Sequence, residues 1–212
     1  MIDPRGINLS EFITKWYGPP DNGKRHTEGY SHIPTPLAEW HDLAAQWSID
    51  LVTLKKFTPL AEITVRDGKA VFASDPSDAI WAFDPVSPMD VFEGRLYGEW
   101  VKLTERLPEF LAHNLLGETA YNAPNVRFCD SVQNGRISEV LAPMTEVSFG
   151  GWNWPGPDYR IFLGDGIIAE VGPALKDGAA LTDISGHSEV HVGAISESAL
   201  SYLSEIPGTD WF

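Results

Sequence analysis

The chain has 212 residues and a formal net charge of −15, from 30 acidic and 15 basic side chains. Its length suits one domain, and a chain of this size buries roughly 70% of its unfolded surface, so it needs no disulfide staples. At 43% hydrophobic and 11% aromatic residues it is not a disordered chain, and its acid excess argues against nucleic acid and against an anionic membrane surface, both of which call for cationic faces.

Leu9, Phe12, Ile13 and Trp16 recur at helical spacing, with Asn8 and Glu11 at the N-cap and N3 positions of a capping box and Gly18-Pro19-Pro20 as the stop. Residues 21–31 are polar and read as a loop. Thr35 is expected to cap a second helix, with Pro36 in its first turn, whose apolar face is Leu37, Trp40, Leu43, Ala44 and Trp47. Strands follow. Ile63-Thr64-Val65 and Ala70-Val71-Phe72-Ala73 flank Asp67-Gly68, a strong hairpin sequence because both turn residues must take positive φ. Ile80-Trp81-Ala82-Phe83 continues the strand run.

A long helix is expected over residues 99–116, with Trp100, Leu103, Leu107, Phe110, Leu111 and Leu115 as its stripe, a kink or break at Pro108, and a stop at Gly117. Further strands are expected at 126–128, 147–149, 159–163, 167–171 and 190–192, with Gly164-Asp165-Gly166 as a hairpin turn. Ser196 caps a final helix carrying Ala199, Leu200, Leu203 and Ile206. Helices first, strands in the middle and a helix last predict an α+β fold, a single mixed or antiparallel sheet flanked by helices.

Familiar catalytic motifs are missing. The sequence has no phosphate-binding glycine loop, no Gly-x-Ser-x-Gly elbow and no His-Glu-x-x-His. No catalytic residue, metal ligand or cofactor is assigned. The best metal candidate is His187-Ser188-Glu189-Val190-His191, since on a strand His187, Glu189 and His191 share a face and two imidazoles with a carboxylate suit zinc or iron. Exposed polar residues alternating along a half-buried strand account for the same pattern, and that reading is preferred. Cys129 is the single cysteine and reads as a buried thiol, which fits a reducing compartment. The N-terminus has no secretory pattern and no apolar run approaches 18 residues, so the cytosol is expected.

The acid excess is uneven. Residues 1–106 carry −5 and residues 107–212 carry −10, the later bases being Arg127, Arg136, Arg160 and Lys176 alone. Asp75, Asp78, Asp84, Asp90 and Glu93 cluster in sequence around the Trp81 strand and form the expected protein-binding surface. Trp152 and Trp154, in the loop Gly150-Gly151-Trp152-Asn153-Trp154-Pro155-Gly156-Pro157, are the expected aromatic anchors. The same two indoles suit a carbohydrate-binding module. Plentiful carboxylates, or a His-based metal site, leave open a small hydrolase.

The order of these elements carries a resemblance. The Trp16 helix, the opening Ile33-Pro34-Thr35-Pro36-Leu37, the Asp67-Gly68 hairpin leading into Val71-Phe72-Ala73, the strand Ile80-Trp81-Ala82, and the helix around Trp100 and Phe110-Leu111 together resemble the SUKH superfamily of bacterial immunity proteins, which includes a fungal cell-wall assembly regulator. The similarity covers roughly residues 9–116. Departures are the long loop at 21–31 and the large second half. The resemblance implies one SUKH-like domain over 1–212, with 120–212 as a less recognisable extension of the sheet plus a C-terminal helix. It also implies a non-enzymatic protein that neutralises a co-encoded toxin by direct contact, often a nuclease or deaminase. A basic toxin suits an acidic inhibitor.

Overall fold

Helix α1 (Leu9–Tyr17) starts where its cap is strongest. The Asn8 side chain accepts from the backbone N–H of Ser10 and Glu11, its amide donates to Glu11 Oε1 at 3.0 Å, and Gly18 ends the helix at φ 85°. Helix α2 (Thr35–Ala44) has Pro34 at its N-cap with no side-chain cap, and it buries Leu37 and Trp40. The computed structural model describes residues 1–23, 30–95, 98–149, 158–174 and 186–212. The chain divides into two units, one of Ile7–Thr14 and Gly18–Glu118, the other of Met1–Gly6, Lys15–Tyr17 and Thr119–Phe212. Among the described residues no helix is long and apolar enough to cross a membrane.

The Gly18–Glu118 unit is built on an antiparallel sheet of β1 (Lys56–Phe57), β2 (Thr64–Arg66), β3 (Lys69–Ser74), β4 (Ala79–Phe83), β5 (Asp90–Arg95) and β6 (Val101–Arg106). β1 and β2 share one edge of β3, and β4, β5 and β6 follow in order from its other edge. Asp67 at φ 48° and Gly68 at φ 76° make the tight β2–β3 turn, as the dipeptide predicted. Every residue of β4 is buried. Helix α3 (Leu107–Asn122) lays Phe110 edge-on against Phe72, with ring centroids 5.5 Å apart, and beside Trp81 at 6.1 Å.

The long helix expected over 99–116 is a strand and then a helix. Residues 101–106 alternate, with Leu103 and Glu105 buried and their neighbours exposed, and Val101 pairs with Glu93. Pro108 neither kinks nor breaks anything. It is the second residue of α3, where a missing N–H costs nothing, and Glu109 reaches back to accept from the Arg106 N–H at 2.9 Å. Gly117 does not stop the helix, which runs on to Asn122.

The α+β class holds, and the sheets are antiparallel, but the described residues form two sheets where one was expected. The strands after residue 120 make a sheet of their own, in the order β7-β11-β10-β9-β8, from β7 (Asn125–Gln133), β8 (Met144–Glu146), β9 (Arg160–Gly164), β10 (Ile167–Pro173) and β11 (His187–Ala194). One face of it buries Cys129, Ala169, Val171, Val190 and Val192 against Leu200 and Leu203. Those leucines sit on Glu197–Glu205, a 3-10 helix rather than the α-helix expected there. The expected strand at 147–149 reduces to a single bridge between Val147 and Ile2, next to β8. Phe212 exchanges two backbone hydrogen bonds with Phe128, at 3.1 and 2.9 Å, and so covers part of the β7 edge.

Candidate functional site

The five acids expected to form one surface are spread over the first sheet, and their carboxylates have internal work. Asp75 accepts from the backbone N–H of Ser77 and Ala79 at 2.9 and 2.8 Å, and Asp78 takes φ 69° beside it, so both build the β3–β4 turn. Asp84 and Asp90 lie at the opposite end of β4, in and after the β4–β5 connection. Asp84 is held below the usual carboxylate range by the Val86 N–H and then by Lys69 at 3.4 Å. Asp90 pairs with Lys102 at 2.7 Å and Arg106 at 3.7 Å. Glu93 pairs across the strands with Trp81 and accepts from its indole N–H at 3.2 Å, while burial raises its pKa. Asp75, Asp78, Asp84 and Asp90 fasten turns and strand ends, and the charge of Asp75 reaches Glu93. Trp152 and Trp154 lie outside the described residues.

A denser grouping occupies the other face of the second sheet, where Glu170 and Glu189 are themselves buried at 6% and 4% exposed. Cross-strand partners point the same way, and the register sets Glu170 opposite His191, Gly172 opposite Glu189, and His191 opposite Phe128. Tyr121, near the end of α3, donates its hydroxyl to Glu170 at 2.8 Å, and Tyr159, just before β9, donates to Glu189 at 2.6 Å. The His191 ring lies between Tyr121 and Phe128, with centroids 3.9 and 4.3 Å away. Asp130, exposed on β7, is close enough for its charge to raise Glu189, and Asp158 is exposed beside Tyr159.

Burial sets the electrostatics here. It drives His191 down to about 4, so the imidazole is neutral at pH 7. It pushes both tyrosine hydroxyls above their usual range, helped by the charge of Glu170 on Tyr121 and by the hydrogen bond to Glu189 on Tyr159. Glu189 is raised by burial and partly restored by its tyrosine. The result is a set of acceptor oxygens and ring faces with no cationic group among its named members. That arrangement suits ammonium and guanidinium groups, which pair with carboxylates and sit over aromatic rings. Gly172 makes room for it, because a Cβ there would overlap the Tyr159 ring. Gly172→Ala is expected to expel that ring, break its bond to Glu189 and cost about 1–3 kcal/mol, read by the near-ultraviolet circular dichroism of the tyrosines and by urea unfolding.

The strand singled out for metal, His187 to His191, is β11, and it contributes Glu189 and His191 to this face in hydrogen-bonded and ring-packed roles. Among the described residues no group of three or more His, Cys, Asp and Glu could hold a metal ion. Cys129 is buried and unbonded. A second titratable pair, Glu105 and His113, lies in the Gly18–Glu118 unit with Oε1 and Nδ1 2.8 Å apart, both residues buried. Tyr121, Tyr159, Glu170 and Asp130 went unrecognised in the sequence. The available signal was Glu170, a charge inside the otherwise apolar run Ile167–Val171.

Fold and site therefore define an α+β protein of two antiparallel sheets, one of them carrying an acidic and aromatic face. Comparison of the chain with protein-family models, with curated proteins and with solved structures finds no match in any of the three.

Proposed function

We propose that this chain is a non-enzymatic binding protein of the cytosol, an immunity-type protein that neutralises a basic protein toxin by direct contact. The observation that carries the reading is the acid-and-aromatic grouping of the second sheet, in which Asp130 and Asp158 are exposed beside half-buried Tyr121, Tyr159 and His191 while buried Glu170 and Glu189 take the two tyrosine hydroxyls, in the half of the chain that holds −10 of the net charge. Exposed carboxylates and aromatic rings complement lysine and arginine side chains. The likeness of residues 9–116 to SUKH immunity proteins points the same way.

The carboxylates supply a specific argument against the hydrolase reading. Glu105, whose pKa is pushed up to about 8, is only 2% exposed with His113 as its partner, which is a poor position for meeting a substrate. The test is calorimetric titration of the purified chain with the product of the neighbouring gene. A one-to-one complex that abolishes the toxicity of that product is expected. Absence of any complex overturns the reading.

A further inference from the structure

Within the Gly18–Glu118 unit an open cleft of about 770 Å³ is lined by Trp40, His41, Trp47, Lys55, Lys56 and Phe57, among others. That volume matches small-molecule sites, which span roughly 300–1,000 Å³. Its walls are already fixed. Trp40 and His41 project from α2 and meet the Phe57 ring with centroids 5.6 and 6.1 Å apart. The Trp47 indole is held by an N–H bond to the Gly18 carbonyl at 2.9 Å. The segment Thr53-Leu54-Lys55 is gripped from behind by Glu118, which accepts all three backbone N–H groups.

Two further observations give the cleft a preference. His41 Nε2 is buried without a hydrogen-bond partner, an omission that ordinarily costs about 1–3 kcal/mol and that a ligand atom would repair. In a chain with twice as many acids as bases, the lining holds exposed Lys56 and only one acid, Asp50, while the ammonium of buried Lys55 lies over the Trp81 ring, 5.4 Å from its centroid. Burial lowers the pKa of His41, so its ring meets a ligand as a neutral imidazole.

We propose that this cleft binds a small planar aromatic anion, with the ring against Trp40, Trp47 and Phe57, a polar atom on His41 Nε2, and the negative group facing Lys56. The binding is separate from toxin neutralisation and uses no residue of the second sheet. Indole-3-acetate, adenosine monophosphate and anilinonaphthalene sulfonate, with indole and adenosine as uncharged counterparts, are titrated into the full chain by calorimetry and tryptophan fluorescence. At least one anion is expected to bind one-to-one with Kd below about 1 mM and more tightly than its uncharged counterpart. Lys56→Glu reverses an exposed charge and is expected to weaken binding about threefold to tenfold. His41→Phe keeps a ring against Phe57 but removes the nitrogen, with a similar expected loss. If that variant does not fold, Lys56→Glu decides alone. No saturable binding of any probe overturns the proposal, as does binding that neither variant weakens.

Discussion

Replacing Glu118 by alanine is expected to lower the unfolding free energy by about 2–4 kcal/mol, because it removes the carboxylate that accepts three successive backbone donors. Glu118 is 1% exposed. One of its oxygens accepts from the Thr53 N–H at 2.8 Å and the Leu54 N–H at 2.9 Å, and the other from the Lys55 N–H at 3.2 Å. Three successive N–H groups aimed at one carboxylate form a charge-assisted clamp on a segment with no strand partner, ahead of β1. Glu118→Gln keeps the shape but turns an amide toward donors, so it is expected to lose about half as much. Urea unfolding measures both. Faster amide exchange at Thr53, Leu54 and Lys55 in the alanine variant is the local signature. An alanine variant as stable as the parent, with unchanged exchange there, would contradict the clamp.

The second large effect is a fall in stability with rising pH that Glu105→Gln removes. Glu105 is pushed up to about 8, first by burial and then by the charge of Glu109. His113, wholly buried, is held well below its usual range by burial and then by Lys55. Both are neutral at pH 7, because separating two charges there costs more desolvation than their attraction returns. The carboxyl therefore donates to the imidazole. Unfolded, Glu105 loses its proton near 4.5. Above that pH the folded chain holds a proton that the unfolded chain has lost, so the contribution of Glu105 is full below the unfolded value and is lost as pH rises to about 8. His113 works in the opposite sense, with stability present above its unfolded value of 6.5 and lost as pH falls below it. The two oppose each other at mildly acidic pH, and Glu105 acts alone from there to about 8. Over that upper window the parent is expected to lose about 2 kcal/mol relative to Glu105→Gln, at roughly 1.4 kcal/mol per pH unit. Parallel stability curves for the two proteins would contradict the neutral pair.

What could be read in the sequence was local. The Asn8 cap and the Asp67-Gly68 turn each depend on a few adjacent residues and stand as expected, whereas the α2 stripe is cut short, with Leu37 and Trp40 buried and Trp47 beyond the helix end at Ala44. The segment 99–116 misled because Leu103 and Leu107 lie four apart while belonging to a strand and a helix, and because α3 is buried on nearly every side and presents no single stripe. The alternation of Val101-Lys102-Leu103-Thr104-Glu105-Arg106 was the better guide. The division into two sheets depends on pairings such as Val192 with Arg127, sixty-five residues apart in sequence, which no local pattern encodes. The candidate face was half legible. Glu189 and His191 stood out through their period of two, but Tyr121 lay beyond the supposed helix stop at Gly117, and Tyr159 joins through its hydroxyl bond to Glu189 and its ring over Gly172. Of the acids nearest in sequence, Asp75 and Asp78 went to the turn at one end of β4, and Asp84 and Asp90 to a backbone contact and ion pairs at the other.

The central claim is that the second sheet's acidic and aromatic face receives a basic protein. Its most direct test is the association rate of the chain with the product of the neighbouring gene, from about 50 mM to about 500 mM salt, for the parent and for Asp130→Lys combined with Asp158→Lys. The account predicts that the parent's rate falls steeply with salt, and that the exposed double variant associates about tenfold or more slowly at low salt and responds weakly to added salt. A rate indifferent both to salt and to the two reversals would contradict it.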